Sequence, residues 1–165
     1  MSYKRYPVKR HAYTQKVGKL LQLIIRKIFL ELGASRVEIP NGQSNKVDLK
    51  VWDSKGNLVI VGEILNWSVK SLLSEKRRRK MIKNLNQYGC NKALIYTSLN
   101  RTHLSVFSSN KISQVKIGYQ VLPYLYYKFF QGKHQVIKRR PYSLSVKNEI
   151  KQLIKSYLKR RQIRI

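Results

Sequence analysis

Cysteine is almost absent from this chain, which has a single one, Cys90, among 165 residues. One cysteine excludes an intramolecular disulfide and any zinc site built mainly from thiolates. A free cysteine is most often a small buried thiol, and we expect that role for Cys90. An apolar core must then hold the fold, and a hydrophobic content of 42% is enough for one.

Acidic residues are also scarce. Seven Asp and Glu face 35 Lys and Arg, which gives a formal net charge of +28 and a sequence pI of about 10.5. Self-repulsion at this charge opposes a compact fold, and a polyanionic partner that displaces counterions would offset it. The composition therefore favours nucleic acid as the partner. A ribosome-associated protein fits the same charge, and an anionic membrane surface fits it less well.

Long apolar runs are missing as well. Residues 1–16 contain none, so we expect no secretory signal. The longest apolar stretch, "LLQLIIRKIFLELG" at 20–33, is interrupted by four polar side chains and is too polar to cross a bilayer. We expect a protein of the cytoplasm, in a prokaryotic cell or a virus-infected host, without membrane contact. The length suits one domain, and no repeat or low-complexity linker divides it.

The spacing of apolar residues predicts helices that alternate with strands. Thr14 is a candidate helix cap, Gly33 a candidate helix stop, and "DSKG" at 53–56 a turn between two paired strands. The near-continuous apolar run at 57–65 predicts a central strand buried on both faces. This α-β-β-β-α-β order indicates an α/β (α+β) domain with helices flanking a central mixed sheet, followed by a C-terminal basic helix. The predicted helices are 14–32, 68–87 and 145–161, and the predicted strands are 35–40, 46–52, 57–65 and 92–98, with one or two more in "HLSVFSS" and "VKIGYQVL" at 103–122.

Basic residues gather in three segments. Residues 1–13 are either a frayed tail or an arm that lies on a phosphate backbone. The run "EKRRRK" at 75–80 is either a solvated helix face or a phosphate-facing surface, and a third basic segment surrounds residues 138–140. The aromatic segment at 122–130 suits core or interface packing, with base stacking as the alternative. The candidate nucleic-acid contacts are Lys76, Arg77, Arg78, Arg79, Lys80, Lys138, Arg139 and Arg140.

Two acidic residues lie beside apolar strands. Glu63 interrupts the predicted central strand, and Asp48 lies on the strand paired with it. A carboxylate in such a place must be hydrogen-bonded, paired, protonated or bound to a metal. Gly62, directly before Glu63, leaves space close to the backbone. The spacing alone leaves two readings open, a Mg²⁺ site formed by both carboxylates or an ion pair with Lys46, Lys50 or Lys70.

The order of short motifs around the two carboxylates is informative. "LELGASRVEIP" is followed by "QSNKVDLKV", "DSKG", "NLVIVGEIL", a basic helix and "KALIYTS". Over about residues 15–98 this order resembles the PD-(D/E)XK nuclease superfamily, and most closely the archaeal Holliday-junction resolvases. The resemblance implies a restriction-endonuclease-like core that hydrolyses DNA, with branched or junction DNA as a substrate.

The same resemblance implies a site and an assembly. Asp48, Glu63 and the carbonyl of Ile64 would bind Mg²⁺ or Mn²⁺, and Ser44 matches a loop serine near that site. A homodimer would follow, with residues 122–130 as a candidate interface. The single domain at 1–165 would then comprise the basic arm at 1–13, the nuclease-like core at 14–98, and C-terminal strands with a basic helix at 99–165.

The chain departs from the family's pattern at two positions. Leu65 stands where the family has a lysine that orients the attacking water, and Gln22 stands near the place of a first-helix glutamate. Three residues are candidates for the lysine's role: Lys50, Asn66 and Lys70. Lys50 lies two residues from Asp48 and so faces the same side of its strand.

Three functions are consistent with these observations. The first is a metal-dependent DNA endonuclease. The second is a DNA- or RNA-binding protein whose nuclease core has lost catalysis, as the missing lysine indicates. The third is a basic structural protein associated with ribosomes or RNA, which the charge and the aromatic segment would suit.

Overall fold

The computed structural model describes residues 21–40, 46–65, 73–97, 104–117 and 144–165. Four helices and five strands occupy these ranges. The helices are α1 (21–31), α2 (Glu75–Asn86), α3 (Leu104–Ser109) and α4 (Leu144–Arg160), and the strands are β1 (Arg36–Glu38), β2 (Leu49–Trp52), β3 (Leu58–Leu65), β4 (Asn91–Tyr96) and β5 (Ile112–Lys116).

The five strands form one mixed sheet in the order β1-β2-β3-β4-β5. The first three are antiparallel neighbours, whereas β3, β4 and β5 run parallel. The position of β3 between the hairpin partner β2 and the parallel strand β4 explains why β3 is almost entirely apolar. As the middle strand it is covered on both faces, and its residues from Ile60 onward are all buried. The predictions of a mixed sheet flanked by helices and of a central third strand are confirmed.

Each face of the sheet has its own apolar core. On one face, α1 and α4 pack against β-strand residues such as Leu49, Ile60 and Ile95. On the other, α2 and α3 pack against residues that include Val61 and Leu94. Because side chains alternate along a strand, the odd-numbered residues of β3 from Ile60 onward face α2 and the even-numbered ones face α1 and α4.

Two predicted chain reversals are present. The side chain of Asp53 accepts hydrogen bonds from the backbone N–H groups of Lys55 and Asn57, each at 2.9 Å, and Gly56 has a φ of 85°. This turn fixes the register of the β2–β3 hairpin. Gly33 follows α1 with a φ of 113°, a conformation in which a glycine ends a helix without strain.

Several predicted bounds are wrong. "HLSVFSS" does not form a strand, since Leu104–Ser109 is a short helix whose Phe107 is buried against the sheet. The strand that follows begins at Ile112 rather than at Val115. The predicted helix at 68–87 begins at Glu75 in the described chain, because Ser74 has an extended backbone and its hydroxyl accepts the Arg77 N–H at 3.2 Å.

Some predictions fall outside the described residues. They include the cap at Thr14, the basic arm at 1–13 and the aromatic segment at 122–130. Among the helices that the structure does describe, none combines the length and the apolar character needed to span a bilayer.

Gly62 is required by the packing of the central strands. A Cβ atom at this position would lie 3.0 Å from the carbonyl oxygen of Ala93 in β4 and 3.5 Å from Leu49 Cδ2. The space expected beside the backbone at Gly62 is therefore filled by the neighbouring strand.

We expect Gly62→Ala to lower the free energy of unfolding by about 1–3 kcal/mol, because backbone and core must shift to admit the methyl group. Urea denaturation measures the change. Gly89→Ala is the matched control, since a Cβ atom there has no neighbour within 4 Å. Equal stability of the two variants would contradict this account of Gly62.

Candidate metal centre

Asp48 and Glu63 meet at the end of the β2–β3 hairpin that lies away from its turn. Leu49 is paired with Gly62, and continuing this antiparallel register by one residue places Asp48 opposite Glu63. Glu63 alternates with Ile64 of the α1–α4 face, so its side chain lies on the α2 side of the sheet, where it is hydrogen-bonded to Asp48. The hairpin turn and a close strand pairing therefore bring the two carboxyl groups together.

Asp48 is anchored to the backbone of the central strand. Its Oδ2 atom accepts a hydrogen bond from the N–H of Ile64 at 3.0 Å. In a β-strand the N–H and C=O of one residue point to the same side, so the Ile64 carbonyl is also directed toward the strand that carries Asp48. Three oxygen-bearing groups, those of Asp48, Glu63 and Ile64, are thus grouped at one place.

Glu63 is the most perturbed acid in the described chain. Its residue exposure is 5%. Burial first, and then a hydrogen bond and charge repulsion from Asp48, raise the pKa of its carboxyl to about 10. The nearby charge of Arg77 acts in the opposite sense. At neutral pH and without a cation, Glu63 is protonated and hydrogen-bonded to Asp48.

This donor set fits a hard divalent cation. Two carboxyl groups and a carbonyl supply the oxygen ligands that Mg²⁺ prefers, and a cation would relieve the repulsion that keeps Glu63 protonated. In the described ranges, no group of three or more His, Cys, Asp or Glu is suited to a metal. A cation held here would therefore complete its coordination with water or with substrate oxygens.

The position of the family's lysine is apolar in this protein. Leu65 is 3% exposed and belongs to the core that α2 covers, together with Leu73 and Met81. Lys50 is expected to share a strand face with Asp48, and its Nζ lies 5.1 Å from the centroid of the Tyr88 ring. That contact is at the far end of α2, so the structure does not bring the Lys50 ammonium group to the carboxyl pair.

Arg77 is the cation whose charge reaches Glu63. It lies in the first turn of α2, and residues four and eight positions further, Met81 and Leu85, are buried against the sheet. The same helical stripe therefore directs Arg77 toward the end of β3 where Glu63 lies. Sequence reasoning placed Arg77 among the nucleic-acid contacts and missed its position at the carboxyl pair, although its four-residue spacing from Met81 is a usable signal.

The other basic residues of α2 differ in their surroundings. Lys76 and Lys80 are exposed to solvent. Arg79 pairs with Glu75 at 2.6 Å, and Arg78 is half-buried with its Nη1 donating to the carbonyl of Leu73. The run is thus a mixture of solvated, paired and structural cations. The remaining predicted site residues lie outside the described chain: Ser44, Asn66, Lys70, Lys138, Arg139 and Arg140.

No protein-family model, curated protein or solved structure matches this chain. Its function must therefore be inferred from the residues and from their geometry.

We expect Glu63→Gln to raise the free energy of unfolding by about 1–3 kcal/mol at about pH 8 in the presence of a chelator. In the folded protein Glu63 stays neutral up to a pKa of about 10, whereas in the unfolded chain it ionises above its ordinary value of 4.5. The free energy of unfolding of the wild type therefore falls as the pH rises between these two values. Glutamine does not ionise, so the variant does not show this fall. Denaturation at several pH values measures it.

Glu38→Gln is the control for this experiment. Glu38 is partly exposed and pairs with Arg36 at 2.8 Å, so its removal should leave the slope of stability against pH unchanged. The same slope in wild type and in Glu63→Gln would contradict the assigned protonation of Glu63.

Proposed function

We propose that this protein is a metal-dependent endonuclease that hydrolyses phosphodiester bonds in DNA, with branched or junction DNA as a candidate substrate. One observation carries the proposal: Asp48 and Glu63 lie against each other on the central hairpin. Burial of Glu63 and its repulsion by Asp48 lower the free energy of unfolding, and the fold does not need two acids at this place. A buried acid beside a half-buried one, in a protein of net charge +28, suits a reaction on a polyanion.

In this proposal Asp48, Glu63 and the carbonyl of Ile64 hold Mg²⁺ or Mn²⁺. When bound, such a cation polarises a phosphate oxygen and lowers the pKa of a coordinated water. The backbone N–H of Ile64 fixes the orientation of the Asp48 carboxylate, and the strand pairing at Gly62 fixes the separation of the two acids.

Arg77 supplies the positive charge beside the two acids. We infer that its guanidinium binds an oxygen of the scissile phosphate, because planar donors of this kind match phosphate geometry. It would take the place of the lysine that is absent at Leu65. The exposed cations Lys76 and Lys80 on the same helix would bind the flanking backbone without contributing to the reaction.

The arrangement of elements is consistent with a restriction-endonuclease-like core. An antiparallel hairpin carries the acids, a basic helix follows, and the next strand pairs in parallel with the acid-bearing strand. This order matches the resemblance identified in the sequence, and it is the second support for the proposal.

Cleavage of plasmid and four-way-junction DNA tests the proposal. With Mg²⁺ or Mn²⁺ we expect turnover by the wild type and a loss of at least about 10²-fold in Asp48→Ala and in Glu63→Ala. Glu38→Ala, which alters a surface acid, is the control and should retain activity. Cleavage without a metal, or full activity in both site variants, would contradict the proposal.

Arg77→Ala is expected to lower kcat by about 10²-fold while the Kd for DNA changes little, because one fixed donor to the developing charge is lost. Arg77→Lys should recover part of the rate. Lys76→Ala removes one cation from the same helical turn and should leave kcat unchanged. If Arg77→Ala and Lys76→Ala behave alike while the Asp48 and Glu63 variants are inactive, the role of Arg77 is wrong and the nuclease proposal stands.

A second candidate function is a DNA- or RNA-binding protein without turnover, and the burial of Leu65 favours it. Such a protein would bind nucleic acid with a steep salt dependence and hydrolyse none. A basic ribosome- or RNA-associated protein is the third candidate, and a preference for duplex DNA over RNA would count against it. Turnover that Glu63→Ala abolishes would exclude both.

A further inference from the structure

A second polar site lies at the β5 edge of the sheet. A cleft of about 780 Å³ opens where the last turn of α4 passes the start of β5, the outermost strand on that side of the described sheet. We call it the basic cleft. The residues that line it are Ser108, Lys111, Ile112, Ser113, Gln114, Arg160 and Arg161.

Among the described residues that line the basic cleft, three are cations and none is a carboxylate. The chain contains no Asp or Glu between Glu75 and Glu149, so neither α3 nor β5 brings an acid to it. Elsewhere on α4, Lys147 and Lys151 are both within ion-pair distance of Glu31. Within the described residues, no such ion pair involves the cations of the cleft. Mutual repulsion of these three side chains would be relieved by a bound anion.

The cleft's β5 wall is held by specific contacts. Lys111 has a left-handed backbone, with a φ of 58°, and its N–H donates to the carbonyl of Ser108 at 3.0 Å. The amide nitrogen of Gln114 donates to the Leu104 carbonyl at 2.9 Å and to the Ser108 hydroxyl at 2.7 Å. A bulky residue with a left-handed backbone is uncommon. At Lys111 this backbone conformation sets the direction in which the side chain leaves the chain.

The α4 wall is equally constrained. Tyr157 and Leu158, in the last turn of α4, are buried in the same apolar core as Val115 of β5. The N–H of Arg161 donates to the carbonyl of Tyr157 at 3.1 Å, so the helical backbone continues to the second arginine. Arg160 and Arg161 therefore lie at a packed helix end beside the edge strand. Their backbone positions are fixed, and their side chains extend from there.

Arginine, lysine and hydroxyl groups that face one cleft match a phosphate, which offers several acceptor oxygens and negative charge. A membrane surface would be bound by cations beside exposed apolar side chains, but among the described residues that line the cleft the one apolar side chain, Ile112, is 2% exposed. We propose that the basic cleft binds phosphate groups of a nucleic-acid backbone.

This inference goes beyond the proposed hydrolysis and does not depend on it. The register Glu63–Leu94–Gln114 puts the cleft in the same row of the sheet as the carboxyl pair, two strands away. Two strand spacings are about 10 Å, which is roughly three base-pair steps of 3.4 Å along the axis of duplex DNA. The cleft would thus hold backbone a few nucleotides from the acids, and its binding can be measured without any metal.

The test compares two pairs of substitutions on α4. Arg160→Ala with Arg161→Ala removes the cleft's arginines, and Lys155→Ala with Lys159→Ala removes two exposed cations that do not line the cleft. Fluorescence anisotropy with a duplex of about 20 base pairs, in a chelator and from about 50 to about 200 mM salt, gives affinity and salt slope. Thermal melting verifies that both variants fold.

We expect the arginine pair to weaken binding at least about tenfold more than the lysine pair, and to reduce the slope of log K against log salt by about 1.8. Lys111→Asn keeps a residue type that tolerates the left-handed backbone, and should reduce the slope by about 0.9. Equal losses in the two pairs would overturn the proposal, because the effect would then reflect net charge alone.

Two other results would also overturn it. In the first, inorganic phosphate raises the Tm of the wild type but not of the arginine variant, while duplex binding is unchanged, which would assign the cleft to a free phosphate. In the second, the arginine variant loses binding to phosphatidylserine vesicles and keeps duplex affinity, which would assign it to a membrane surface.

Discussion

The close approach of Asp48 and Glu63 is the constraint on which the candidate site depends. Strand pairing, rather than attraction, brings the two carboxyl groups together, and burial removes the Glu63 carboxyl from water. A raised pKa for Glu63 is the direct consequence. The fold therefore holds a proton between the two carboxyl groups, and the oxygen atoms grouped there are of the kind that a hard metal ion prefers.

The scarcity of acids makes this pair easier to interpret. Most of the other acidic residues have a visible structural role, either as a partner of a nearby cation or as the cap of a turn. The Asp48–Glu63 pair has no such role, apart from the hydrogen bond that Asp48 accepts from the Ile64 N–H. The residues with these structural roles are Glu31, Glu38, Asp53 and Glu75.

Much of the fold could be predicted from local patterns because local chemistry determines it. The apolar run of β3 indicated a central strand, and Asp53 and Gly56 indicated the turn that sets its register. Short apolar segments were less informative, because "HLSVFSS" contains too few residues for periodicity to separate a helix from a strand. Its true state depends on Phe107 packing against the sheet, a tertiary contact that no local pattern reports.

The candidate site, like the fold, could be predicted from the sequence only in part. Asp48 and Glu63 could be found from sequence because a polar residue in an apolar strand is conspicuous. The cation beside them could not, since Lys50, the favoured candidate among those described, lies against Tyr88 while Arg77 approaches from the helix. Which of several basic residues reaches a buried acid depends on how α2 is rotated over the sheet. A chain with 35 Lys and Arg offers too many alternatives for spacing to choose among them.

A crystal structure with Mn²⁺ tests the central claim most directly, through the anomalous scattering of the metal. The account predicts a strong anomalous peak between the carboxyl groups of Asp48 and Glu63, with the Ile64 carbonyl among its ligands. A structure in which those carboxyl groups remain hydrogen-bonded to each other, with no peak beside them at saturating Mn²⁺, would contradict it.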